Sequence, residues 1–159
     1  MIAAPFIIAI DHREKLPSAF EGIRGDASDD HAEIATRTHT QHLATGDYSI
    51  VGLTDRVTVE RKRGEELYFT LGRGRDRFRW EMDRLAELDA AAIVVEATLG
   101  DVLKYPPRES RMSAKAVFRT ILAWQQKYRV PWLFCDDRRL AEITCYRILS
   151  AFYRRESKQ

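Results

Sequence analysis

The amino-acid sequence predicts an α/β protein with one central mixed sheet and helices on both faces of that sheet. In its second half, apolar runs alternate with stretches of helical spacing, which is typical of strand–helix–strand units with parallel strands. In its first half, strand-like runs follow one another across a turn signal at residues 52–55, which favours antiparallel pairing. A length of 159 residues favours a single domain, residues 1–159, with a real core.

The first half is predicted to contain four strands. Residues 6–10 form a short apolar run ended by a charge, which is typical of a buried strand. Residues 33–42 carry β-branched side chains at alternate positions, and the strands 47–51 and 57–61 flank the turn signal. The last three strands are predicted to form an antiparallel meander or hairpin pair, and the polar stretch 22–31 is predicted to be a loop.

The second half is predicted to alternate helices with strands. Spacing of apolar residues predicts helices over 65–71, 74–88, 113–128 and 137–156, and strands over 91–96 and 131–135. Ser113 is the expected N-cap of its helix, and residues 101–111, with two adjacent prolines, are predicted to form an exposed loop. The residues expected to face inward on the last helix are Leu140, Ile143, Ile148, Leu149 and Phe152.

The overall composition excludes several classes of protein. Hydrophobic residues make up 45% and charged residues 31%, which is ordinary for a soluble protein. A net charge of +2 does not predict nucleic-acid binding, so such a prediction must rest on local charge. The two cysteines lack metal-knuckle spacing and predict buried free thiols in a reducing cytoplasm. Neither a signal peptide nor a membrane span is recognised, so no membrane partner is expected.

Acidic residues on separate predicted strands form the candidate site. Asp11 and Glu14 follow the first strand, Asp47 begins the third, and Glu60 lies in the fourth. Glu60 and Lys62 share a face, because alternate residues of a strand do, and a hairpin brings Asp47 near Glu60. Carboxylate oxygens are the ligands that Mg²⁺ and Mn²⁺ prefer, and these cations suit phosphodiester hydrolysis. Lys62 is expected to position or deprotonate the attacking water, or to stabilise transition-state charge, so the sequence predicts metal-dependent cutting of nucleic acid.

Each of these elements alone has an ordinary alternative. Asp47 after Gly46 is a common turn pair, and an alternating acid and lysine is typical of a solvated strand face. An acid near position 11 or 14 also suits the start of a short helix. The ordered combination is much more specific than any of its parts.

This combination resembles the XPF-type structure-specific endonuclease domain, a branch of the PD-(D/E)xK nuclease superfamily. The matching motifs are Asp-His-Arg-Glu at 11–14, Gly-Asp-Tyr at 46–48, Glu-Arg-Lys at 60–62, Glu-Leu at 66–67, Gly-Arg-Asp-Arg-Phe at 74–78, Glu81, and an apolar strand ending in Glu96. The resemblance runs from about residue 6 to residue 96 and is looser beyond.

The resemblance implies a restriction-endonuclease-like nuclease fold and a divalent-metal-dependent DNA endonuclease that cuts near branch points or flaps. Asp47, Glu60 and Lys62 would be its catalytic residues. The expected cofactor is Mg²⁺ or Mn²⁺, with Asp11, Glu14, Asp47 and Glu60 as its ligands. Family members usually pair, so a homodimer or a partner protein is expected, together with a cytoplasmic, nucleoid-associated location.

Two features depart from the family pattern. Glu66 stands where most members have Asp, and its longer side chain is expected to act without touching the metal. Members commonly continue into a tandem helix-hairpin-helix module, and none is recognised in these 159 residues. Branch recognition is therefore expected to be weaker or to come from a partner.

A local run of positive charge surrounds the predicted catalytic strand. Between residues 56 and 79, eight basic residues accompany four acids. Their expected function is contact with DNA phosphates, and the alternative is a solvated helix face paired with neighbouring acids. The arginines expected to contact DNA are Arg13, Arg61, Arg63, Arg73, Arg75, Arg77 and Arg79.

Other polar and aromatic residues give weaker signals. His39 and His42 raise a zinc alternative, but no third and fourth ligand has the right spacing, so a polar strand face is favoured. Trp124 and Trp132 are expected in the core, whereas Trp80 is open to either burial or base stacking.

Two further functional readings compete with the branch-directed endonuclease. One is a catalytically silent DNA-binding or dimerisation module, against which the retention of the acids and the lysine counts. The other is a nuclease that acts broadly on DNA or on RNA. If the protein dimerises, the exposed faces of the last two helices are the natural candidates for the interface.

Overall fold

A six-stranded mixed sheet forms the centre of the fold and has helices on both faces, as the sequence predicts. The computed structural model describes residues 1–158. Its strands are β1 (Ile2–Ala3), β2 (Ile8–Asp11), β3 (Ile34–Ala35), β4 (Thr38–Gln41), β5 (Tyr48–Ile50), β6 (Val57–Arg63), β7 (Ala90–Glu96) and β8 (Trp132–Cys135). Its helices are α1 (Glu66–Leu71), α2 (Arg75–Ala86), α3 (Leu99–Lys104), α4 (Ala114–Tyr128) and α5 (Arg138–Glu156).

The sheet has an antiparallel half and a parallel half. Its strand order is β4-β2-β5-β6-β7-β8, with β5 antiparallel to both of its neighbours. Strands β6, β7 and β8 run parallel and are joined through helices. Because right-handed crossovers that advance in one direction place their helices on one face, α1, α2 and α4 share a face. Helix α5 packs on the opposite face.

Buried strand β7 separates two hydrophobic cores. Ile93 and Val95 face the core under α1, α2 and α4, whereas Val94 faces the core under α5. Burial on both faces explains why this strand reads as a continuous apolar run rather than an alternating one. The predicted strand over residues 91–96 is therefore confirmed.

The predicted antiparallel meander is wrong in its first strand. Residues 33–42 divide into β3 and β4, and β4 pairs in parallel with β2 instead of pairing with β5. A parallel pair needs a long crossover, and residues 12–37 supply it between β2 and β4. The exposed polar side chains of Thr38, His39 and Thr40 suit this edge position.

Two other local predictions are also corrected. Residues 101–111 do not form a loop throughout, because α3 covers the first of them, with Thr98 Oγ1 accepting a hydrogen bond from the Asp101 amide at 3.0 Å. On α5, Leu140 is 41% exposed rather than inward. It lies one residue, about 100° of rotation, from Ala141, which shares the buried face with Leu149.

The helices in residues 1–158 were also compared with the requirements of a membrane span. None of them combines the length and the apolar character that crossing a bilayer needs.

Candidate active site

The hairpin of β5 and β6 brings Asp47 beside Glu60. The amide of Asp47 donates a hydrogen bond to the Val59 carbonyl at 2.9 Å, and Asp47 Oδ2 accepts one from the Arg61 amide at 2.7 Å. On the other side, the Asp11 amide donates to the Asp47 carbonyl at 2.9 Å. Asp11, Asp47 and Glu60 thus lie on three neighbouring chain segments at one end of the sheet.

Gly46 allows the chain to enter this hairpin close to β6. Its φ of +77° is in the left-handed region, and a Cβ atom there would lie 2.1 Å from Thr58 Oγ1. That hydroxyl donates toward the carbonyls of Thr45 and Tyr48, at 3.1 and 3.0 Å. Only glycine tolerates both the conformation and the contact, so the Gly-Asp pair reflects a steric requirement.

Glu81 on α2 fixes the same turn from the other side. Its carboxylate accepts hydrogen bonds from the Thr45 hydroxyl and, at 3.0 Å, from the Gly46 amide. Arg84 holds the carboxylate with an ion pair of 2.6 Å. Burial opposes the charge of Glu81, but these donors outweigh it and lower its pKa. The sequence included Glu81 in a motif but gave no sign of this positioning role.

A cavity of about 420 Å³ opens over these residues. It contains all three predicted catalytic residues, Asp47, Glu60 and Lys62. The other polar side chains of its lining are Asp11, Arg13, Thr70, Glu66, Arg77 and Glu81. Glu14 lines a smaller neighbouring cavity that shares Asp47, Glu60 and Lys62 with the first.

The environment of Asp47 and Glu60 disfavours their anionic forms. Burial raises the pKa of Asp47 well above its usual value, and the facing carboxylate of Glu60 adds to the effect. Burial likewise raises the pKa of Glu60, although Lys62 opposes the shift. Lys62 Nζ lies 2.9 Å from Glu60 Oε1. Burial disfavours the charge of Lys62, but its attraction and hydrogen bond to Glu60, together with attraction to Asp47 and Glu66, outweigh burial and raise its pKa.

Asp11 is saturated with hydrogen bonds. Its Oδ1 accepts from the amide and Nε of Arg13, at 2.8 and 2.7 Å, and its Oδ2 accepts from Arg13 Nη2 and the Leu43 amide. Burial opposes the charge, but these donors dominate and lower the pKa of Asp11 to about 2. Asp11 therefore anchors Arg13, whose side chain remains 59% exposed at the cavity.

Glu14 is likewise held by an arginine. Arg61 donates to both Glu14 oxygens, at 3.2 and 2.9 Å, and to Glu96 Oε1 at 2.6 Å. Burial disfavours the Arg61 charge, but the two carboxylates outweigh it and raise its pKa. The arginine side chain is only 11% exposed, so it stabilises the protein interior beneath the site.

The arginines predicted to contact DNA lie in different environments. Arg77 lines the main cavity together with Arg13, and Arg73 lines a separate groove. Arg75 stacks over the Trp124 ring at 4.9 Å and donates to Thr120 Oγ1 at 3.3 Å. The remaining two on the surface form ion pairs: Arg63 with Glu65 and Glu66, and Arg79 with Asp76.

Two exposed aromatic residues lie on α1 and α2. The side chain of Trp80 is 68% exposed, so it lies at the surface. Trp124 and Trp132 are buried, as expected. Phe69 is 63% exposed and lines both the main cavity and the groove of Arg73. Sequence reasoning missed Phe69, because its neighbours Tyr68 and Leu71 are buried and the helix reads as a core element.

Comparison with known proteins decides the family. A family model described as the ERCC4 domain matches residues 10–146. The chain belongs to the ERCC4 domain family. The resemblance to the XPF-type nuclease domain is thereby confirmed. No curated protein sequence matches this ERCC4 domain.

Solved structures confirm the fold of this ERCC4 domain. Similar chains include XPF from Aeropyrum pernix and the same protein in complex with DNA, with TM-scores of 0.66 and 0.65. Sequence identities are 22% and 21%, and the alignments cover 95% and 94% of this chain. They cover 67% and 66% of those chains, so this chain spans about two thirds of their length. The mixed six-stranded sheet with its helices is the XPF nuclease fold.

Asp47→Asn is expected to stabilise the metal-free protein at neutral pH. A folded pKa above the unfolded value of about 3.9 means that the fold prefers the protonated carboxyl. That contribution to stability is complete below the unfolded pKa and is lost as the pH rises through the folded pKa. Removing the charge should raise Tm at pH 7 by about 2–4 °C for each kcal/mol gained.

Thermal melts in EDTA from pH 4 to pH 8 measure this effect. The exposed turn residue Asp55 supplies the matched control, Asp55→Asn. The gain in Tm for Asp47→Asn should shrink toward pH 4. An equal gain at both ends of the range, or a lower Tm at pH 7, contradicts the expected charge strain.

Proposed function

We propose that this ERCC4 domain is a Mg²⁺- or Mn²⁺-dependent DNA endonuclease that hydrolyses phosphodiester bonds, with a preference for branched or flapped DNA. The observation that carries the proposal is the adjacent pair of half-buried Asp47 and buried Glu60, next to Lys62 in an open polar cavity. Two adjacent carboxylates that resist ionisation are typical of a functional site rather than of a stabilising network. Family membership supports a DNA nuclease or DNA-binding module.

The two carboxylates fit a hard divalent cation. Asp47 Oδ1 and Glu60 Oε2 receive no hydrogen bond from residues 1–158, so each keeps an oxygen for a ligand. A bound cation would polarise a phosphoryl oxygen and lower the pKa of its water. The sequence also predicts Asp11 and Glu14 as ligands of this cation. In the structure, each of them already binds an arginine. We assign them to orienting Arg13 and Arg61 around the cation ligands.

Lys62 and two arginines complete the proposed mechanism. The Lys62 ammonium, held by Glu60, donates a hydrogen bond to the attacking water or to the phosphate. Arg13 and Arg77 line the cavity and bind the phosphates on either side of the scissile bond. Glu66 binds Arg63 through both the amide and the side chain, so it supports the end of β6 rather than the cation.

The DNA substrate is proposed from the family and from the aligned structures. One aligned XPF structure is of a complex with DNA. A nuclease of this kind would act in the cytoplasm, at the nucleoid. Residues 1–159 would form its single nuclease domain. The exposed Phe69 lines the main cavity, where unstacked bases of a distorted substrate could stack on it.

Loss of the carboxylates is expected to abolish cleavage. Asp47→Ala and Glu60→Ala remove cation ligands, and Lys62→Ala should lower the rate about 100- to 1000-fold, as loss of an electrostatic contributor does. Glu65→Ala changes an exposed acid on the same segment and serves as the matched control. The measurement is cleavage of labelled linear, flap and four-way DNA with Mn²⁺.

The same assay separates the alternatives. Cleavage by the wild type and by Glu65→Ala but not by Asp47→Ala supports the endonuclease. DNA binding with no cleavage by the wild type would instead support a silent DNA-binding module. Equal rates on the three substrates would remove the preference for branched DNA.

Arg77→Ala is expected to weaken binding to all DNA sequences uniformly. Its guanidinium reaches the cavity and each phosphate contact releases a counterion, so the slope of log K against log salt should fall by about 0.9. Arg155→Ala, on the distant end of α5, is the control. Fluorescence anisotropy with Ca²⁺ in place of Mg²⁺ measures the slope, and an unchanged slope would remove Arg77 from the interface.

We also propose a homodimer formed through the side of the molecule that ends in β8. This strand is a free edge of the sheet, and exposed apolar side chains lie on it and on α4. They are Phe118, Leu122 and Leu133, exposed by 36%, 45% and 36%. Leu122→Glu should therefore shift the protein to monomer in sedimentation equilibrium, whereas Val51→Glu, on the β5–β6 turn, should not. A wild-type monomer at all concentrations tested would contradict this interface.

A further inference from the structure

We propose that His12, His42 and Asp11 form a second metal site, selective for transition metals such as Zn²⁺ and separate from the carboxylate centre. The ligand atoms of the three side chains all lie within 4.8 Å of one another. His12 and His42 follow the ends of the paired strands β2 and β4, and their ring centroids are 5.5 Å apart. This pair joins segments about 30 residues apart in sequence, which is why sequence spacing alone gave no zinc motif.

The backbone fixes the two histidines next to each other. Asp11 pairs with Gln41 in the parallel ladder, and the His12 amide donates to the Gln41 carbonyl at 2.9 Å. The residues that follow these two strands are His12 and His42, which therefore lie side by side where β2 and β4 end. Both imidazoles are exposed, so a metal ion reaches them without any rearrangement of the core.

The ligand chemistry separates this site from the proposed Mg²⁺ or Mn²⁺ centre. Imidazole nitrogens favour Zn²⁺, Cu²⁺ and Ni²⁺, whereas Mg²⁺ prefers carboxylates and water. Three protein ligands with water in the remaining position are a common zinc arrangement, at Zn–N distances of about 2.0–2.1 Å. The imidazoles supply most of the affinity, because the Asp11 oxygens already accept hydrogen bonds from Arg13 and Leu43.

Asp11 connects this site to the main cavity. An oxygen of Asp11 that binds zinc would give up a hydrogen bond from the Arg13 side chain, while the bonds from the Arg13 and Leu43 amides persist. Arg13 lines the cavity of Asp47 and Glu60. Zinc bound at the histidines would therefore alter the cationic lining of the proposed nuclease site.

Calorimetric titration with ZnCl₂ in excess Mg²⁺ tests the site without any measurement of cleavage. The wild type should bind one Zn²⁺, and His12→Ala and His42→Ala should each weaken binding at least about tenfold, the loss that follows removal of even an outer partner. His39→Ala removes an exposed histidine of the same strand β4 and should bind as the wild type does. All three histidines are exposed, so their replacement should leave the fold intact, which thermal melts verify.

Asp47→Ala distinguishes the two metal sites. Zinc binding that survives Asp47→Ala but not His12→Ala or His42→Ala supports the proposal. Binding lost in Asp47→Ala and retained in both histidine variants overturns it, because the zinc then occupies the carboxylate centre. Absence of zinc binding in the wild type also overturns it, whether or not the protein cuts DNA.

Discussion

The repulsion between Asp47 and Glu60 is the constraint on which this end of the molecule depends. Burial disfavours the charge of each carboxylate, and the Glu60 carboxylate raises the pKa of Asp47 further. The protein offsets this strain only in part, with the Lys62 ammonium and the Arg61 amide. A fold selected for stability alone would replace such a pair with apolar residues. The proposed cation, shared by both acids, would offset their repulsion.

The rest of the site holds these acids in position from three directions. Gly46 lets the chain pass against Thr58, Glu81 ties the turn to α2, and the β5–β6 ladder sets the register. On β6, Arg61 binds both Glu14 and Glu96 and so links the loop after β2 to the end of β7. The steric contact and the ladder lie within the hairpin, whereas Glu81, Glu14 and Glu96 come from distant elements, so the placement of the hairpin also depends on tertiary packing.

Local sequence patterns predicted much of this structure because local chemistry determines it. The helices and the buried strands have strong apolar periodicity, and alternation in β6 placed Glu60 and Lys62 together in one cavity. The parallel pairing of β4 with β2 was missed, since hydrophobic alternation does not specify a partner strand or its direction. Similarly, nothing local shows that Glu14 binds Arg61, because these residues are 47 positions apart and meet only in the tertiary fold.

The division of the arginines has a further consequence for DNA binding. Counting charges in the sequence treats seven arginines as one basic surface, but Arg61 is half-buried between two acids and Arg75 is packed over Trp124. Arg63 and Arg79 pair with neighbouring carboxylates at the surface, where such pairs contribute little to stability. The cations that directly line the main cavity are Arg13, Lys62 and Arg77. So small a set favours local positioning of a phosphate over tight non-specific binding in the proposed DNA complex, and the proposed second protomer would enlarge the DNA-binding surface.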